Sequence, residues 1–209
     1  MAIIYRATLR PSKLELVAGW APGGRWGAAA AGAELEQVAA YRFDDPAGEV
    51  GTETLVLRAG DTLLHVPLSY RGAPVPELEE HLVGTTEHSV LGRRWVYDAC
   101  ADPVYVAALA TAVLTGAPQA AEYVVVDDGQ ERRDPSARVT GSGSAGDVGP
   151  LGTPAATDTA DATIVRAGAV ELVVRRVLTP GAPVDGAATL TGTWAGQAEP
   201  VLLATATRG

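Results

Sequence analysis

Cysteine and lysine are almost absent from this 209-residue chain. The one cysteine, Cys100, excludes an internal disulfide and a zinc site built from several cysteines. The one lysine is Lys13, and the formal net charge is -9 at pH 7. Because phosphate groups are bound by clustered Lys and Arg side chains, this balance argues against a nucleic acid or an anionic membrane as a partner.

Long apolar runs are also lacking. No run approaches the roughly 20 residues that a membrane-spanning helix needs, and the apolar part of the N-terminal sequence MAIIYRATLR is too short for a signal peptide. We therefore expect a cytoplasmic protein. The chain nevertheless has 47% hydrophobic residues, and a chain of this length buries about 70% of its unfolded surface when it folds.

A capping box predicts the first helix. Ser12 and Glu15 are spaced so that each side chain satisfies the backbone amide of the other residue. Residues 13–20 are therefore expected to be helical. The Gly-rich run that follows is predicted to be a loop, with Trp26 packed onto the body of the protein.

A longer helix is predicted after Asp102. This residue has the chemistry of an N-cap, and Pro103 follows at the position where a missing amide hydrogen costs nothing. Gly116 supplies the stop signal. An apolar stripe with helical spacing lies between them, at Val106, Leu109, Ala110, Val113 and Leu114. Such a stripe is expected to cover a sheet.

Runs of β-branched and aromatic residues predict strands on both sides of this helix. The predicted strands cover residues 2–9, 35–43, 52–58, 62–70, 91–97 and 121–126. Short connections between the middle strands favour antiparallel pairing. Residues 76–82 are predicted to form a helical turn.

The composition changes sharply after the last of these strands. Residues 127–161 are rich in Gly, Pro, Ser, Thr and Asp, which predicts a loop or linker. Residues 162–209 contain β-rich runs broken by Gly and Pro, and a small antiparallel sheet is predicted there. The first part of the chain, residues 1–126, is then one α+β domain. The sequence leaves open whether the C-terminal sheet joins the first sheet.

Two patterns that could carry chemistry have simpler explanations. Gly141, Gly143 and Gly146 spell a G-x-G-x-x-G pattern, but the sequence after them cannot open the helix that a nucleotide site requires, which favours a flexible linker. Cys100 lies near two aspartates, whose charges would raise the pKa of its thiol rather than lower it. A buried structural cysteine is therefore expected.

The histidines are the candidates for a metal site or an acid–base pair. The residues concerned are His65, His81 and His88, with Glu77, Glu80 and Glu87 nearby. No H-E-x-x-H or comparable spacing occurs among them, so the sequence assigns no metal ligand.

The strongest surface hypothesis is a group of aromatic and arginine residues. These residue types are enriched in binding hot spots, and aromatic faces stack on sugars. The group consists of Tyr70, Arg71, Arg93, Arg94 and Trp95. The alternative is that Trp95 belongs to the core, because the chain has few aromatic residues, and that the arginines offset an acidic surface.

Several segments together resemble a known family. They are YRATLRPSKLELVAGW, HVPLSYRGAP and HLVGTTEHSVLGRRWVYDACADP, the last of which leads into the longer helix. Over residues 1–118 the chain resembles the N-terminal cap domain of bacterial maltokinases and related aminoglycoside-phosphotransferase-like sugar kinases. The resemblance implies an α+β fold with a cystatin-like curved antiparallel sheet packed on a long helix.

In those kinases the cap precedes a β-rich N-lobe and a helical C-lobe that holds the catalytic residues. Residues 170–182 weakly resemble the N-lobe strand with the nucleotide-binding Lys, but Arg175 or Arg176 stands in its place. The C-terminal sheet is therefore expected to be a degenerate remnant of that lobe. The chain has neither a catalytic-loop motif nor a metal-binding Asp motif, so no kinase activity, catalytic residue, metal or cofactor is carried over.

From this resemblance we expect a stand-alone, non-catalytic binding or regulatory protein. It would be associated with maltose, trehalose or α-glucan metabolism, and its partner would be a sugar kinase, another enzyme of that pathway or a second copy of itself. The alternative is a small-ligand or glucan-binding module.

Overall fold

Strands make up most of the protein. The computed structural model describes residues 2–126, 129–182 and 188–209. The α-helices of this part are α1 (Lys13–Trp20) and α2 (Pro103–Thr115), and 3-10 turns lie at Ala21–Gly23, Gly27–Ala30, Pro76–His81 and Ala99–Ala101. None of these helices has the length and apolarity needed to cross a membrane. The strands are β1 (Ala2–Ile4), β2 (Leu9–Arg10), β3 (Leu35–Tyr41), β4 (Gly51–Ala59), β5 (Thr62–Arg71), β6 (Leu82–His88), β7 (Gly92–Asp98), β8 (Glu122–Val126), β9 (Gly129–Arg133), β10 (Ala137–Gly141), β11 (Ala155–Asp158), β12 (Ala162–Ala167), β13 (Val170–Arg175), β14 (Val177–Leu178), β15 (Ala188–Trp194) and β16 (Gln197–Arg208).

The first sheet is antiparallel and has seven strands, in the order β2-β6-β7-β5-β4-β3, with β14 paired to β5. One edge of β5 pairs with β14 at Leu63 and Leu64 and then with β7 from Leu68 onwards. Pro67 lies between these two pairings, where its missing amide hydrogen breaks no hydrogen bond on that edge. The predicted strand over residues 2–9 is divided in the structure, because β1 joins β8 in a separate three-stranded sheet and β2 joins β6.

Helix α1 covers one face of the first sheet. The predicted capping box is confirmed, since the Ser12 hydroxyl accepts from the amide of Glu15 at 3.3 Å and the Glu15 carboxylate accepts from the amide of Ser12 at 2.7 Å. Val17 packs from this helix onto the apolar side chains of β4 and β5. Trp26, in the loop that follows, is 2% exposed and packs in the same cluster, as predicted.

Helix α2 packs against the C-terminal sheet as well as the first sheet, where the hydroxyl of its Tyr105 accepts from Thr54 of β4 at 3.4 Å. Its ends are confirmed, with Asp102 as the N-cap and Gly116 in the left-handed conformation at the C-cap. It contacts β10, β15 and β16 of the C-terminal sheet, and its apolar stripe shares a core with Leu172 and Leu190. The fold is mostly β with a few short helices, so a long helix with cystatin-like packing against the first sheet is not confirmed. The physical reason is that the C-terminal sheet presents its own apolar face to this stripe.

The C-terminal sheet and the first sheet share one core. The second sheet has six strands, in the order β10-β15-β16-β13-β12-β11. Its buried side chains and those of α2 form one cluster with Tyr41 and Val56 of the first sheet. The chain also passes directly between the sheets, since β14 continues from β13 and pairs with β5. The question left open by the sequence is thus answered, because the two sheets are joined through their cores and through β14.

The segment predicted as a linker is largely built into sheets. Residues 129–133, 137–141 and 155–158 form β9, β10 and β11, so the linker prediction is wrong for these residues. The composition of these residues is like that of a loop because β9 is exposed along its whole length and β11 is exposed at alternate residues. Residues 127 and 128, at the start of the predicted linker, lie outside the described residues.

Two glycines of the G-x-G-x-x-G pattern serve packing. A Cβ atom at Gly141 would lie 1.8 Å from the carbonyl oxygen of Ala112, and one at Gly143 would lie 2.2 Å from that of Leu114. The amide of Gly143 also donates to the carbonyl of Val113 at 2.9 Å. These glycines therefore let the chain approach the last turn of α2 and satisfy its free carbonyls.

Arg176 joins the two sheets from inside the protein. Its side chain is 0% exposed, and Nη2 donates to the two carboxylate oxygens of Asp98 at 2.6 and 2.5 Å. Its Nε donates to the hydroxyl of Thr163 on β12 at 2.7 Å, and its guanidinium lies 4.9 Å from the ring centroid of Trp26. Burial alone would lower the pKa of Arg176, but the Asp98 carboxylate raises it above the ordinary value. The cation therefore stays charged between β7, β12 and the loop over the first sheet.

We predict that Arg176→Met lowers the free energy of unfolding by about 3–5 kcal/mol, because it leaves the Asp98 carboxylate buried without its partner. Urea denaturation followed by circular dichroism measures this change.

Arg175→Met is the matched control. Arg175 pairs with Asp161 at 3.1 Å, but its side chain is 34% exposed. A pair of this kind contributes about 1 kcal/mol or less. Equal losses of stability in the two variants would contradict the role given to Arg176.

Candidate functional site

The five residues of the surface hypothesis lie on two faces of the first sheet. Arg71 of β5 lies directly opposite Trp95 of β7 in the strand pairing. Because neighbouring residues of a strand point to opposite faces, Arg71, Arg93 and Trp95 share one face. Tyr70 and Arg94 share the other face. The structure therefore does not bring all five side chains together into one surface.

On the first of these faces the side chains have partners within the protein. Arg71 donates two hydrogen bonds to the carboxylate of Asp102, at 2.9 and 2.7 Å, and these bonds raise its pKa. The same carboxylate caps α2. Arg93 pairs with Glu87 at 2.7 Å in an exposed position. Trp95 is half-buried against a small apolar cluster and is not an open stacking platform.

Tyr70 and Arg94 line a cleft with a volume of about 470 Å³. Its other walls are formed by β1, by residues 43–45 and 48–53, and by the β6–β7 hairpin. Volumes of a few hundred Å³ are typical of small-molecule sites. A second cleft of about 470 Å³ lies beside α2, but the charged residues in its lining are Asp44 and Asp45. The first cleft also brings together Arg42, Glu53 and Arg94, and it is therefore the candidate functional site of the described residues.

A buried carboxylate forms the floor of the cleft. Glu53 is 4% exposed and accepts from the Tyr70 hydroxyl at 3.2 Å. It pairs with Lys13 at 2.5 Å and with Arg42 by a short contact. Burial alone would raise the pKa of Glu53, but Arg42 and Lys13 outweigh burial and hold this pKa below its ordinary value. Glu53 is therefore ionised at neutral pH, with its oxygens occupied by protein donors.

A second buried carboxylate lies behind this floor. Glu122 of β8 is 3% exposed and lies 3.9 Å from Arg42 and 3.5 Å from Arg133. Burial raises the pKa of Glu122, and the two arginines oppose this effect only in part. Arg42 is thus held between Glu122 and Glu53, which fixes its side chain at the base of the cleft.

Arg94, at the rim of the cleft, differs from Arg42 in the partners of its guanidinium group. Arg94 donates to the carbonyl oxygen of Leu91 by a short hydrogen bond. A Cβ atom at Gly72 would lie 2.8 Å from the Nη1 atom of Arg94, so the glycine leaves room for the guanidinium. Within the part of the chain that the structure describes, Arg94 belongs to none of the ion pairs. No described carboxylate therefore lies within ion-pair distance of Arg94, although Asp44, Asp45 and Glu49 also line the cleft.

The three histidines do not form a cluster. His65 is fully buried on β5, while His88 ends β6 and lines the cleft. The Nδ1 atom of His88 accepts from the amides of Val90 and Leu91 at 3.2 and 3.1 Å. Across residues 2–126, 129–182 and 188–209, no group of three or more His, Cys, Asp or Glu side chains is placed to hold a metal ion.

Cys100 is buried, as predicted, and is 1% exposed. Burial raises the pKa of its thiol far above the ordinary value. The thiol is therefore protonated at neutral pH and cannot act as a nucleophile there.

The sequence did not identify the residues that form the cleft with Tyr70 and Arg94. Lys13, Arg42 and Glu53 come from α1, the end of β3 and β4, and only the fold brings them together. One signal was available, since Lys13 is the single lysine of the chain.

The comparisons with known proteins identify part of the chain. The family described as the maltokinase N-terminal cap domain matches residues 20–102, which confirms the resemblance inferred from the sequence. The match runs from the end of α1 to the N-cap of α2, so it contains β3 to β7 but neither α2 nor the C-terminal sheet. A search of curated proteins gave no match to the chain.

We predict a pH-dependent loss of stability from His65. Its Nδ1 donates to the carbonyl of Arg175 at 2.7 Å, so its Nε2 accepts from the Tyr41 hydroxyl at 2.8 Å and the ring is neutral. Burial lowers the pKa of His65 from 6.5 to about 4. Below pH 6.5, His65 becomes protonated in the unfolded chain but stays neutral in the folded protein. Stability is then lost as the pH falls towards 4, by about 3 kcal/mol in total.

Urea denaturation between pH 7 and pH 4 checks this prediction when His65→Gln is compared with the wild type. The glutamine side chain has no titrating group, so the variant should lose less stability than the wild type as the pH falls. The free energy of unfolding of the variant, relative to that of the wild type, should therefore increase between pH 7 and pH 4. A constant difference across this range would show that His65 is not the titrating group.

Proposed function

We propose, on the premise that residues 20–102 form a maltokinase-type cap domain, that this protein is a non-catalytic binding or regulatory protein of maltose, trehalose or α-glucan metabolism. Its partner is a sugar kinase of that pathway, and it acts in the cytoplasm. The observation that carries the proposal is the family match itself, because the matched domain is named for its position on a maltokinase. This is an inference from family membership rather than from an active site.

Exposed apolar residues beside the cleft supply a surface for such a partner. Val90 and Leu91, at the tip of the β6–β7 hairpin, are 55% and 42% exposed. Ile3, on the opposite wall of the cleft, is 40% exposed. Exposed apolar side chains grouped in this way are typical of protein interaction sites. The hairpin also belongs to the matched segment, so the surface and the family relation coincide.

The reactive side chains of the described residues support a non-catalytic role. The Cys100 thiol is buried and protonated, and His65 is held neutral by two hydrogen bonds. Arg176 and Arg175, which stand where a kinase lysine was expected, pair with Asp98 and with an exposed carboxylate on the surface. These side chains therefore stabilise the fold through contacts within the protein.

We predict that Val90→Asp weakens binding to a purified maltokinase-type sugar kinase from the same cells by at least about tenfold, because it places a charge at the centre of an apolar contact. Biolayer interferometry with the full chain measures the affinity.

Leu82→Asp is the matched control. Leu82 is 36% exposed at the other end of β6, so this variant places the same charge on the hairpin but away from its tip. A wild-type chain that fails to bind the kinase, or equal weakening by the two variants, would refute docking through the hairpin.

A second candidate function is the binding of a small ligand. The cleft of about 470 Å³ beside Tyr70 and Arg94 favours it. Isothermal titration with maltose and longer maltooligosaccharides tests the sugar form of this function, and the absence of heat at millimolar ligand would argue against that form.

A further inference from the structure

The apolar walls of the cleft suit a small ligand with an apolar body. Ile3 from β1 and Leu91 from the hairpin both line the cleft, although each is about 40% exposed to solvent. Leu9 and Val50 add further apolar lining. Apolar side chains at the wall of a preformed cavity gain free energy when a ligand removes them from water.

The cationic groups of the cleft differ in how far they are neutralised. Lys13 and Arg42 both pair with Glu53, and Arg42 also lies 3.9 Å from Glu122, so two carboxylates offset these two cations. Arg94 has a neutral carbonyl as its hydrogen-bond partner and, within the described residues, no carboxylate in ion-pair distance. A guanidinium in this state can still form charge-assisted hydrogen bonds with an anion.

Carboxylates also line the cleft, and the best-defined of them has partners. Asp45 accepts from the amides of Ala47, Glu49 and Val50 at 2.8 to 2.9 Å, which orders the loop between β3 and β4. Burial would raise the pKa of Asp45, but these three hydrogen bonds and the charge of Arg71 lower it overall. Asp45 therefore stabilises its own loop and is not available to Arg94.

His88 reports the potential near Arg94. Burial lowers the pKa of His88, and the charges of Arg94 and Lys13 lower it further. Both cations therefore act on the same part of the cleft. Since the Nδ1 atom of His88 accepts two amide hydrogen bonds, the neutral ring carries its hydrogen on Nε2.

We propose that the cleft binds a small amphipathic anion, whose carboxylate or phosphate head bonds to Arg94 and whose apolar body lies between Ile3 and Leu91. This inference rests on the small-ligand function and is independent of docking to a kinase. It names a ligand class in which one end carries the charge and the other end is apolar.

Isothermal titration of the full chain with three eight-carbon probes tests the inference. The probes are octanoate, octyl phosphate and neutral octyl glucoside, each kept below the concentration at which it forms micelles. At least one anionic probe should bind about tenfold more tightly than octyl glucoside, because a hydrogen bond to a charged group is lost with the neutral head. The carboxylate and the phosphate ester then show which head the cleft prefers.

Arg94→Gln and Arg93→Gln form the matched pair of variants. The two residues are neighbours on β7, but Arg93 points to the other face and pairs with Glu87. Arg94→Gln should lower the affinity for the anionic probe by about tenfold and leave the affinity for octyl glucoside unchanged. Arg93→Gln should leave the affinities for all three probes unchanged. Thermal unfolding checks that both variants are folded.

The outcomes separate this inference from the function on which it rests. Octyl glucoside binding as tightly as the anions would overturn the anionic ligand class and leave small-ligand binding intact. No binding by any of the three probes would overturn the amphipathic ligand class, and the titration with maltooligosaccharides would then decide whether the small-ligand function itself stands. Equal effects of the two substitutions would show that general charge, rather than Arg94, attracts the ligand.

Discussion

The buried ion pair between Arg176 and Asp98 is the interaction on which the rest of the structure depends. Asp98 ends β7 of the first sheet, and Arg176 lies where the chain leaves β13 for β14. An unpaired charge in this position would be unfavourable by several kcal/mol. The ion pair therefore holds the two sheets together, because separating them would leave a buried charge without its partner. Trp26 adds the loop beneath α1 to the same contact.

This connection gives the family match its structural meaning. The matched segment, residues 20–102, contains most of the first sheet, but one face of that sheet is closed by side chains from outside the match. His65 shows the same dependence, since its ring bonds to the carbonyl of Arg175 and its amide to that of Arg176. The opposite face is closed by α1, and the cleft lies where β1 and the β6–β7 hairpin flank that face. Its floor is fixed by the pairing of Glu53 with Lys13 and Arg42.

Local signals in the sequence predicted local structure well. The capping box at Ser12 and the N-cap at Asp102 were confirmed because capping chemistry is decided within a few residues. The linker prediction failed because an edge strand such as β9 has no apolar face to reveal it. The role of Gly141 was also hidden, since it depends on a helix 29 positions earlier, around Ala112. The cleft escaped prediction for the same reason, because its charges come from distant parts of the chain.

With a shared core and a shared ion pair, the first sheet and the C-terminal sheet should unfold as one cooperative unit. Native-state hydrogen exchange of the full chain measures this through the amides of β4 and β5 in one sheet and of β13 and β16 in the other. We expect the slowest amides of both sheets to open with the same free energy, equal to that of global unfolding. A C-terminal sheet that opens several kcal/mol more easily, while β4 and β5 stay protected, would contradict it.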